Sequence, residues 1–293
     1  MQRHGRPVLN WSERINVVVT NGPARRWLTR FIGWLSRRRH PLVVHSSIRI
    51  LQFFAGDLRL DEARRRDFRT LQDCFTRELK PGARPVCGDG DALVAPCDGE
   101  LMAAGEVTEG RLIQAKGLTY TLDELVGDAA FARHYAGGVY ATLRLRANMY
   151  HRFHAPDAGR LRTVHAIAGD VRNVNPAAIK CLPRVYCRNF RAVLPLHIAG
   201  LPRSLLVVPV AAVGVASLKI HGLTEPLGSE RTGNGPVACD RQLARGDELG
   251  YFLQGSTVVV IAPAGVSLAW GAASGQTLRV GRPLMRRRSK SPA

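Results

Sequence analysis

Three short segments of this chain carry side chains that could share one reaction. Asp98 stands in Ala95-Pro-Cys-Asp-Gly99, His151 and His154 in Tyr150-His-Arg-Phe-His154, and Ser256 follows Gly255 between two runs of strand-forming residues. Aspartate, histidine and serine together can activate a hydroxyl: the imidazole takes the serine proton, and the carboxylate fixes the imidazole tautomer and stabilises its cation. Gly255 permits backbone geometry that a residue with Cβ resists. A serine beside a strained Gly-Ser bond is suited to attack its own preceding carbonyl. Each segment also has a plainer reading. Gly255-Ser256 reads equally as a tight bend or bulge in a sheet, and Asp98-Gly99 after Pro96 as turn chemistry. The histidines, three apart, face opposite sides of an extended segment and so suit different jobs. They lack the glutamate and helical context of an H-E-x-x-H zinc motif, so no metal site is read from them.

Holding these groups in place falls to a β-rich body. Around Ser256, residues 245–261 read as a turn at Arg245-Gly246-Asp247, a strand, the Gly-Ser-Thr step and a second, β-branched strand. Short β-rich runs at 92–95, 99–102, 111–115, 138–143, 205–210 and 257–261 alternate with Gly, Pro and Asp punctuation. This pattern predicts an α+β protein with a β-rich barrel or sandwich, interrupted by one helix at 121–126. Neither a GxGxxG nor a Walker phosphate loop is present.

The first eighty residues differ in texture. Trp27, Leu28, Phe31, Ile32, Trp34 and Leu35 recur at helical spacing, flanked by Arg25, Arg26, Arg30, Arg37, Arg38 and Arg39. Pro23 suits the start of this helix and Pro41 its stop. A second apolar segment follows at 48–54, then a charged stretch at 60–69 that reads as helical. The division is therefore a helical basic region over 1–80 and a β-rich domain over 81–293. Tryptophans on an apolar face rimmed by arginines describe a helix lying in a lipid headgroup layer, or one docked on the body with its arginines merely solvated.

Hydrophobic residues make up 45% of the 293 and charged ones 22%, which argues against wholesale disorder. Charge is the outlier, at +19 from 42 basic and 23 acidic residues, and it points to an anionic partner. Residues 1–80 hold 17 basic and 7 acidic side chains, and 279–293 add six basic and no acidic ones. No run of apolar residues is long enough to span a bilayer. The six cysteines show no CxxC spacing, and no signal pattern precedes them, so reduced thiols in a cytoplasm-facing protein are expected.

Six segments then fall into one order: Phe75-Thr-Arg-Glu-Leu-Lys-Pro-Gly-Ala-Arg-Pro85, Ala95-Pro-Cys-Asp-Gly99, Gln114-Ala-Lys-Gly-Leu-Thr-Tyr-Thr-Leu122, Tyr150-His-Arg-Phe-His154, Gly169-Asp170 with Val174-Asn-Pro176, and Glu248-Leu-Gly-Tyr-Phe-Leu-Gln-Gly-Ser-Thr-Val258. Together, from about residue 70 to about residue 265, they resemble the phosphatidylserine decarboxylase family. The resemblance implies a self-processing proenzyme. Ser256 would cut the Gly255–Ser256 bond and become a pyruvoyl group, the only cofactor, leaving chains 1–255 and 256–293 that stay associated. Asp98 and His154 would form the charge-relay set with Ser256, and His151 would handle a proton during decarboxylation. The pyruvoyl ketone would take the amine of phosphatidylserine as a Schiff base and absorb the electrons freed by loss of CO2, giving phosphatidylethanolamine. It further implies a carboxy-lyase of phospholipid biosynthesis, peripheral on the cytoplasmic face of an anionic membrane, with no nucleic-acid partner and with a homo-oligomer left open.

Departures from the family pattern are Gln254 before Gly255 and Ala147-Asn-Met149 ahead of Tyr150. The look-alike Leu227-Gly-Ser-Glu230 lacks the threonine and β-branched strand that follow Ser256, and residues 222–240, rich in glycine, proline and charge, are not placed on the family pattern. Two other readings stand beside the main one: a decarboxylase of a different seryl lipid, and a non-cleaving basic binder of membrane or nucleic acid. For nucleic acid, aromatics interleaved with basic residues on strands are expected, whereas here they fall on a helix.

Overall fold

In a computed structural model the described residues are 10–23, 25–115, 118–213, 217–228, 233–253, 257–269 and 274–288. The chain opens with four helices: α1 (Trp11–Asn21), α2 (Arg25–Leu35), α3 (Pro41–Ala55) and the short α4 (Leu71–Phe75). The strands begin with β1 (Ala92–Val94), β2 (Gly99–Glu106), β3 (Arg111–Ala115), β4 (Leu118–Thr121), β5 (Val139–Arg144) and β6 (Arg152–His154). They continue with β7 (Gly159–Ile167), β8 (Arg191–His197), β9 (Leu205–Val210), β10 (Ser217–Ile220), β11 (Leu227–Gly228) and β12 (Gly235–Leu243). Last come β13 (Glu248–Phe252), β14 (Thr257–Ala262), β15 (Val266–Leu268), β16 (Thr277–Leu278) and β17 (Pro283–Arg287). Short helices α5 (Leu122–Val126), α6 (Ala129–Ala132), α7 (Pro176–Cys181) and α8 (Val185–Arg188) fill the connections.

An eight-stranded sheet in the order β12-β7-β8-β9-β14-β5-β2-β16 forms the frame. β14 is central in it, paired antiparallel with β5 and with β9 and buried along its whole length. Burial on both faces explains the unbroken apolar run Val258 to Ala262, where a half-exposed strand would alternate. One face contributes Val258 and Val260 to a core shared with Phe252, Phe153 and Leu218 of a second sheet, β11-β10-β13-β6. The other face puts Val259 and Ile261 against Tyr120, Leu125 and Tyr186, under the β3–β4 ribbon and the short helices.

The α+β, β-rich class holds, but the barrel does not. The large sheet stays open, with β12 at one edge and the two-residue β16 at the other. Strand spacing in a sequence fixes how many strands exist; closure needs first and last strands to meet at a consistent stagger, which is a long-range property. Two helical expectations also change. Residues 60–69 form turns and a bridge, Ala63 to Leu79, because their charges are drawn into ion pairs, Glu62 to Arg84 and Arg279, and Arg64 to Glu78. Pro41, read as a stop, opens α3 instead, at a position where its missing N–H leaves nothing unpaired.

The N-terminal helices turn the usual amphipathic logic around. α1 buries no residue and meets the body through amides: Asn173 Nδ2 donates to Thr20 Oγ1 at 2.9 Å, and Asn175 Nδ2 to Asn16 Oδ1 at 2.6 Å. Its apolar side, Trp11, Ile15 and Val18, faces outward. α2 is tied down by an ion pair from Arg25 to Asp170. It leaves Trp27, Phe31 and Trp34 exposed, as α3 leaves Phe53 and Phe54. Among the described residues no helix is long and apolar enough to cross a membrane.

Gly250 sits where β13 presses against β10, and a Cβ there would lie 2.1 Å from the Lys219 carbonyl oxygen. Gly250→Ala should force these strands apart and lower the urea midpoint by the equivalent of ~3 kcal/mol, the upper end for overpacking. An unchanged midpoint would show that the pairing tolerates separation.

Candidate active site

Strand pairing joins two of the chemistry-bearing segments. β6, carrying Arg152 to His154, runs antiparallel to β13, with Tyr251 opposite Arg152 and Glu248 opposite His154. β13 leads to Leu253, and the chain re-emerges at Thr257 in β14, so it crosses from the four-stranded sheet to the eight-stranded one within those residues. Gln254, Gly255 and Ser256 lie outside the described residues, as do Ser229 and Glu230 of the look-alike segment. Both flanks are firmly held. Phe252 N–H donates to the His151 carbonyl at 3.0 Å, and Thr257 pairs with Arg144 and with Val210.

His154 is a neutral imidazole whose partners fix its tautomer. Its Nδ1 lies 2.8 Å from the Gly246 carbonyl oxygen, an acceptor only, so Nδ1 carries the proton. Nε2 is then left with its lone pair, 3.1 Å from the Tyr150 hydroxyl, which donates to it. Burial holds the imidazole below its ordinary 6.5, against the opposing pull of the Gly246 bond and the Glu248 and Asp98 carboxylates. Burial likewise pushes the Tyr150 hydroxyl far up, so it stays a donor. The Gly246 that supplies the carbonyl is the turn residue of the sequence reading, at φ +86°, which a glycine adopts without strain.

Asp98 is buried in the bend before β2, and its contacts are not with histidine. Arg84 Nε and Nη2 donate to it at 2.8 and 2.6 Å, and Val280 N–H at 3.0 Å. Arg84 is in turn paired with Glu62 at 2.7 Å and lies 5.9 Å over the Tyr150 ring. Burial works to lower Arg84, but the two carboxylates outweigh it and raise it. Among the described residues no hydrogen bond joins Asp98 to His154. The two are linked through Arg84 and Tyr150, whose ring also stacks on His154 with centroids 5.7 Å apart.

His151 occupies a different environment. It is fully buried with its ring 3.8 Å from that of Phe75, and among the described residues neither ring nitrogen has a hydrogen-bond partner. Burial, aided by the Arg77 cation and opposed by the nearby Met149 backbone, lowers its pKa to about 3. That cation is itself caged, donating to the carbonyls of Leu58, Cys74, Asn148 and Met149. Thr257 Oγ1, next in chain to Ser256, is also buried without a partner. A small polar group beside Thr257 in the chain would find in that hydroxyl an unmet hydrogen-bonding atom.

Beside these groups lies a mostly apolar cavity of about 270 Å³, walled by Ile32, Leu51, Leu71 and Phe75 of the helices and by Leu145 and Val174 of the body. Phe75 has one side on this cavity and the other on His151.

A family model described as phosphatidylserine decarboxylase matches residues 71–286. The chain belongs to the phosphatidylserine decarboxylase family. It is 38% identical over 278 residues to a phosphatidylserine decarboxylase proenzyme of Halorhodospira halophila, covering 90% of each chain. It is 36% identical over 274 residues to the proenzyme of Chromobacterium violaceum, covering 90% of this chain and 96% of that one. With the Methylibium petroleiphilum proenzyme the identity is 35% over 282 residues, or 93% and 98% of the two chains.

Some of the motifs that carry the phosphatidylserine decarboxylase resemblance serve the frame. Gln114 is buried and fully bonded, donating to Ile179 and Leu182 and accepting from Val185, so it ties α7 and α8 to the ribbon. Gly169 packs on the Asn189 backbone, and Asp170 receives Arg25 of α2. Sequence reading assigned no role to Arg84, Tyr150 or Arg77. All three lie inside the segments that carry the resemblance, which is the one signal the sequence offers for them.

His151 also gives a titration to measure. Below 6.5 the unfolded chain binds a proton there that the folded chain refuses until about 3. Stability from this group is therefore complete above 6.5 and is lost as pH falls toward 3. His151→Gln should flatten the acid limb of urea-derived stability by about 1.4 kcal/mol per pH unit between those values. An unchanged slope would mean that His151 protonates freely in the folded chain.

Proposed function

We propose that the chain is a phosphatidylserine decarboxylase that processes itself between Gly255 and Ser256 and works at a membrane surface. The observation that carries this reading is His154: a neutral imidazole with Nδ1–H committed to a backbone carbonyl, on the strand paired to the one that runs into Gly255-Ser256. Its Nε2 is the base for the Ser256 hydroxyl. Tyr150 holds Nε2 until that proton arrives, and Asp98, fixed by Arg84, supplies negative charge that favours the imidazolium. Ser256 Oγ then attacks the Gly255 carbonyl carbon, and the peptide becomes an ester. Elimination expels the 1–255 carboxylate, and water replaces the nitrogen as ammonia to leave a ketone.

The resulting pyruvoyl group supplies an electrophilic carbonyl that holds the substrate amine and accepts the electron pair left by CO2. His151, uncharged and without a hydrogen-bond partner among the described residues, is suited to moving a proton there, and Phe75 shields it from the cavity. After the cut, β14 stays bonded between β5 and β9 and β17 beside β1, so chains 1–255 and 256–293 remain one body.

The helical region 1–80 serves as the lipid-facing element of the catalytic domain 81–293. Trp11, Trp27, Phe31, Trp34, Phe53 and Phe54 are exposed, and arginines stack on two of them, Arg30 on Trp27 at 5.4 Å and Arg38 on Trp34 at 3.9 Å. Such a surface suits peripheral docking on the anionic cytoplasmic face of a membrane.

Wild-type protein should run as two pieces on a denaturing gel, the smaller of 38 residues with a pyruvoyl mass at its start. Ser256→Ala should run as one piece and release no phosphatidylethanolamine. An uncut wild type, or a small piece that begins with serine, would overturn the reading. Phe53→Ser with Phe54→Ser should reduce co-sedimentation with phosphatidylglycerol vesicles several-fold while self-cleavage continues; unchanged sedimentation would remove these helices from the lipid surface.

A further inference from the structure

Arg144 is the only charged side chain among the described residues lining the apolar cavity. It ends β5, directly opposite Thr257, the residue that follows Ser256. A guanidinium has five N–H donors. Among the described residues this one has a single hydrogen-bond partner, Glu100, through Nη1 at 3.3 Å. Its side chain is only 18% exposed and lines the cavity, so its remaining donors, bonded to no protein group among the described residues, are open to whatever fills that cavity. A second observation points the same way. On the same side of the sheet, the hydroxyls of Tyr186 and Thr257 are buried without partners. Tyr186 is close enough for its burial-raised hydroxyl to be opposed by the Arg144 charge. Unmet donors of this kind, out of water, are the mark of a site built for a ligand anion.

We propose that Arg144 anchors the phosphodiester of the seryl lipid, and that it is the residue that sets the depth to which the headgroup enters. This rests on the lipid-decarboxylase reading given above. The order of groups supports it. A seryl phospholipid runs from acyl chains through glycerol and phosphodiester to the serine amine. Here the apolar cavity, then Arg144, then Thr257, the neighbour of residue 256 in the chain, follow in the same order. The serine carboxylate is the other anion on offer, and chemistry argues against it. A cation held on a carboxylate that must leave as neutral CO2 stabilises the ground state more than the transition state and slows the loss. A phosphodiester keeps its charge throughout, so binding energy spent on it carries no such penalty. Glu100, beside Arg144, tempers the site and keeps the guanidinium aligned while the lipid is absent.

The test uses full-length Ser256→Ala precursor, titrated calorimetrically with glycerophosphoserine and, separately, with serine, which lacks the phosphate. Arg144→Gln should weaken glycerophosphoserine roughly ten- to a hundredfold, as expected for loss of charge-assisted hydrogen bonds, and leave serine unaffected. Arg144→Lys should lose less. In the self-processing chain, Arg144→Gln should raise KM for phosphatidylserine micelles far more than it lowers kcat. Equal affinity for the diester with and without Arg144, or equal losses for diester and serine, would overturn the anchor. If Arg144→Gln fails to fold, Glu100→Gln decides: freeing the guanidinium should tighten glycerophosphoserine, and unchanged or weaker binding sinks the proposal. Arg144-dependent diester binding by a chain that never makes phosphatidylethanolamine would preserve the anchor and defeat the proposed function instead.

Discussion

Everything at this site depends on how the polypeptide gets from β13 to β14. These strands belong to different sheets, and backbone hydrogen bonds hold each of them along its length. Leu253 and Thr257 are therefore fixed points, and the Gly255–Ser256 bond lies on the short span between them. A chain segment pinned at both ends by rigid pairing cannot relax by moving its flanks, which is the condition for holding a peptide in a reactive geometry. The same pairing places β6 beside β13, so the histidine strand is located by the strand that leads to the serine.

Charge inside the protein is arranged for position as well as for pairing. Arg84 gathers Asp98 and Glu62, with Arg279 on Glu62, while Arg77 spends its donors on four backbone carbonyls. Buried ions survive only with nearly complete hydrogen bonding. Arg84 meets that demand, Arg77 meets it through its two Nη atoms though not through Nε, and together they draw loop 57–63, the bend before β2 and the loop before Tyr150 together. The helical region thereby reaches Asp98 and Tyr150 through polar contacts, and its apolar residues are left free to face outward.

Much of this could be read along the chain. The six apolar runs from 92–95 to 257–261 all became strands, and Thr121 precedes α5 with its N–H on the Glu124 carboxylate. Alternation and β-branching are local signals, and so is a capping residue. Closure of the sheet was not legible, because the partner of an edge strand is decided by residues far away. The stretch 60–69 misled for a related reason: its helical charge pattern is outbid by Arg84 and Arg279, which the sequence places far downstream. Motif membership also could not separate chemistry from support. Gln114 and Asp170 are bracing residues, and only their hydrogen-bond partners reveal it.

The sequence by itself determined the β-rich class, the family, and the residue types that could process a Gly-Ser bond, since these rest on local spacing and on motif order. Tertiary structure alone decided that His154 keeps its proton on Gly246, that Asp98 answers to Arg84, and that His151 is dry and uncharged. It alone turned the apolar side of α1 outward and set Arg144 between the cavity and Thr257. Protonation, tautomer and burial depend on which distant groups are within a few ångströms, and a linear chain carries no distances.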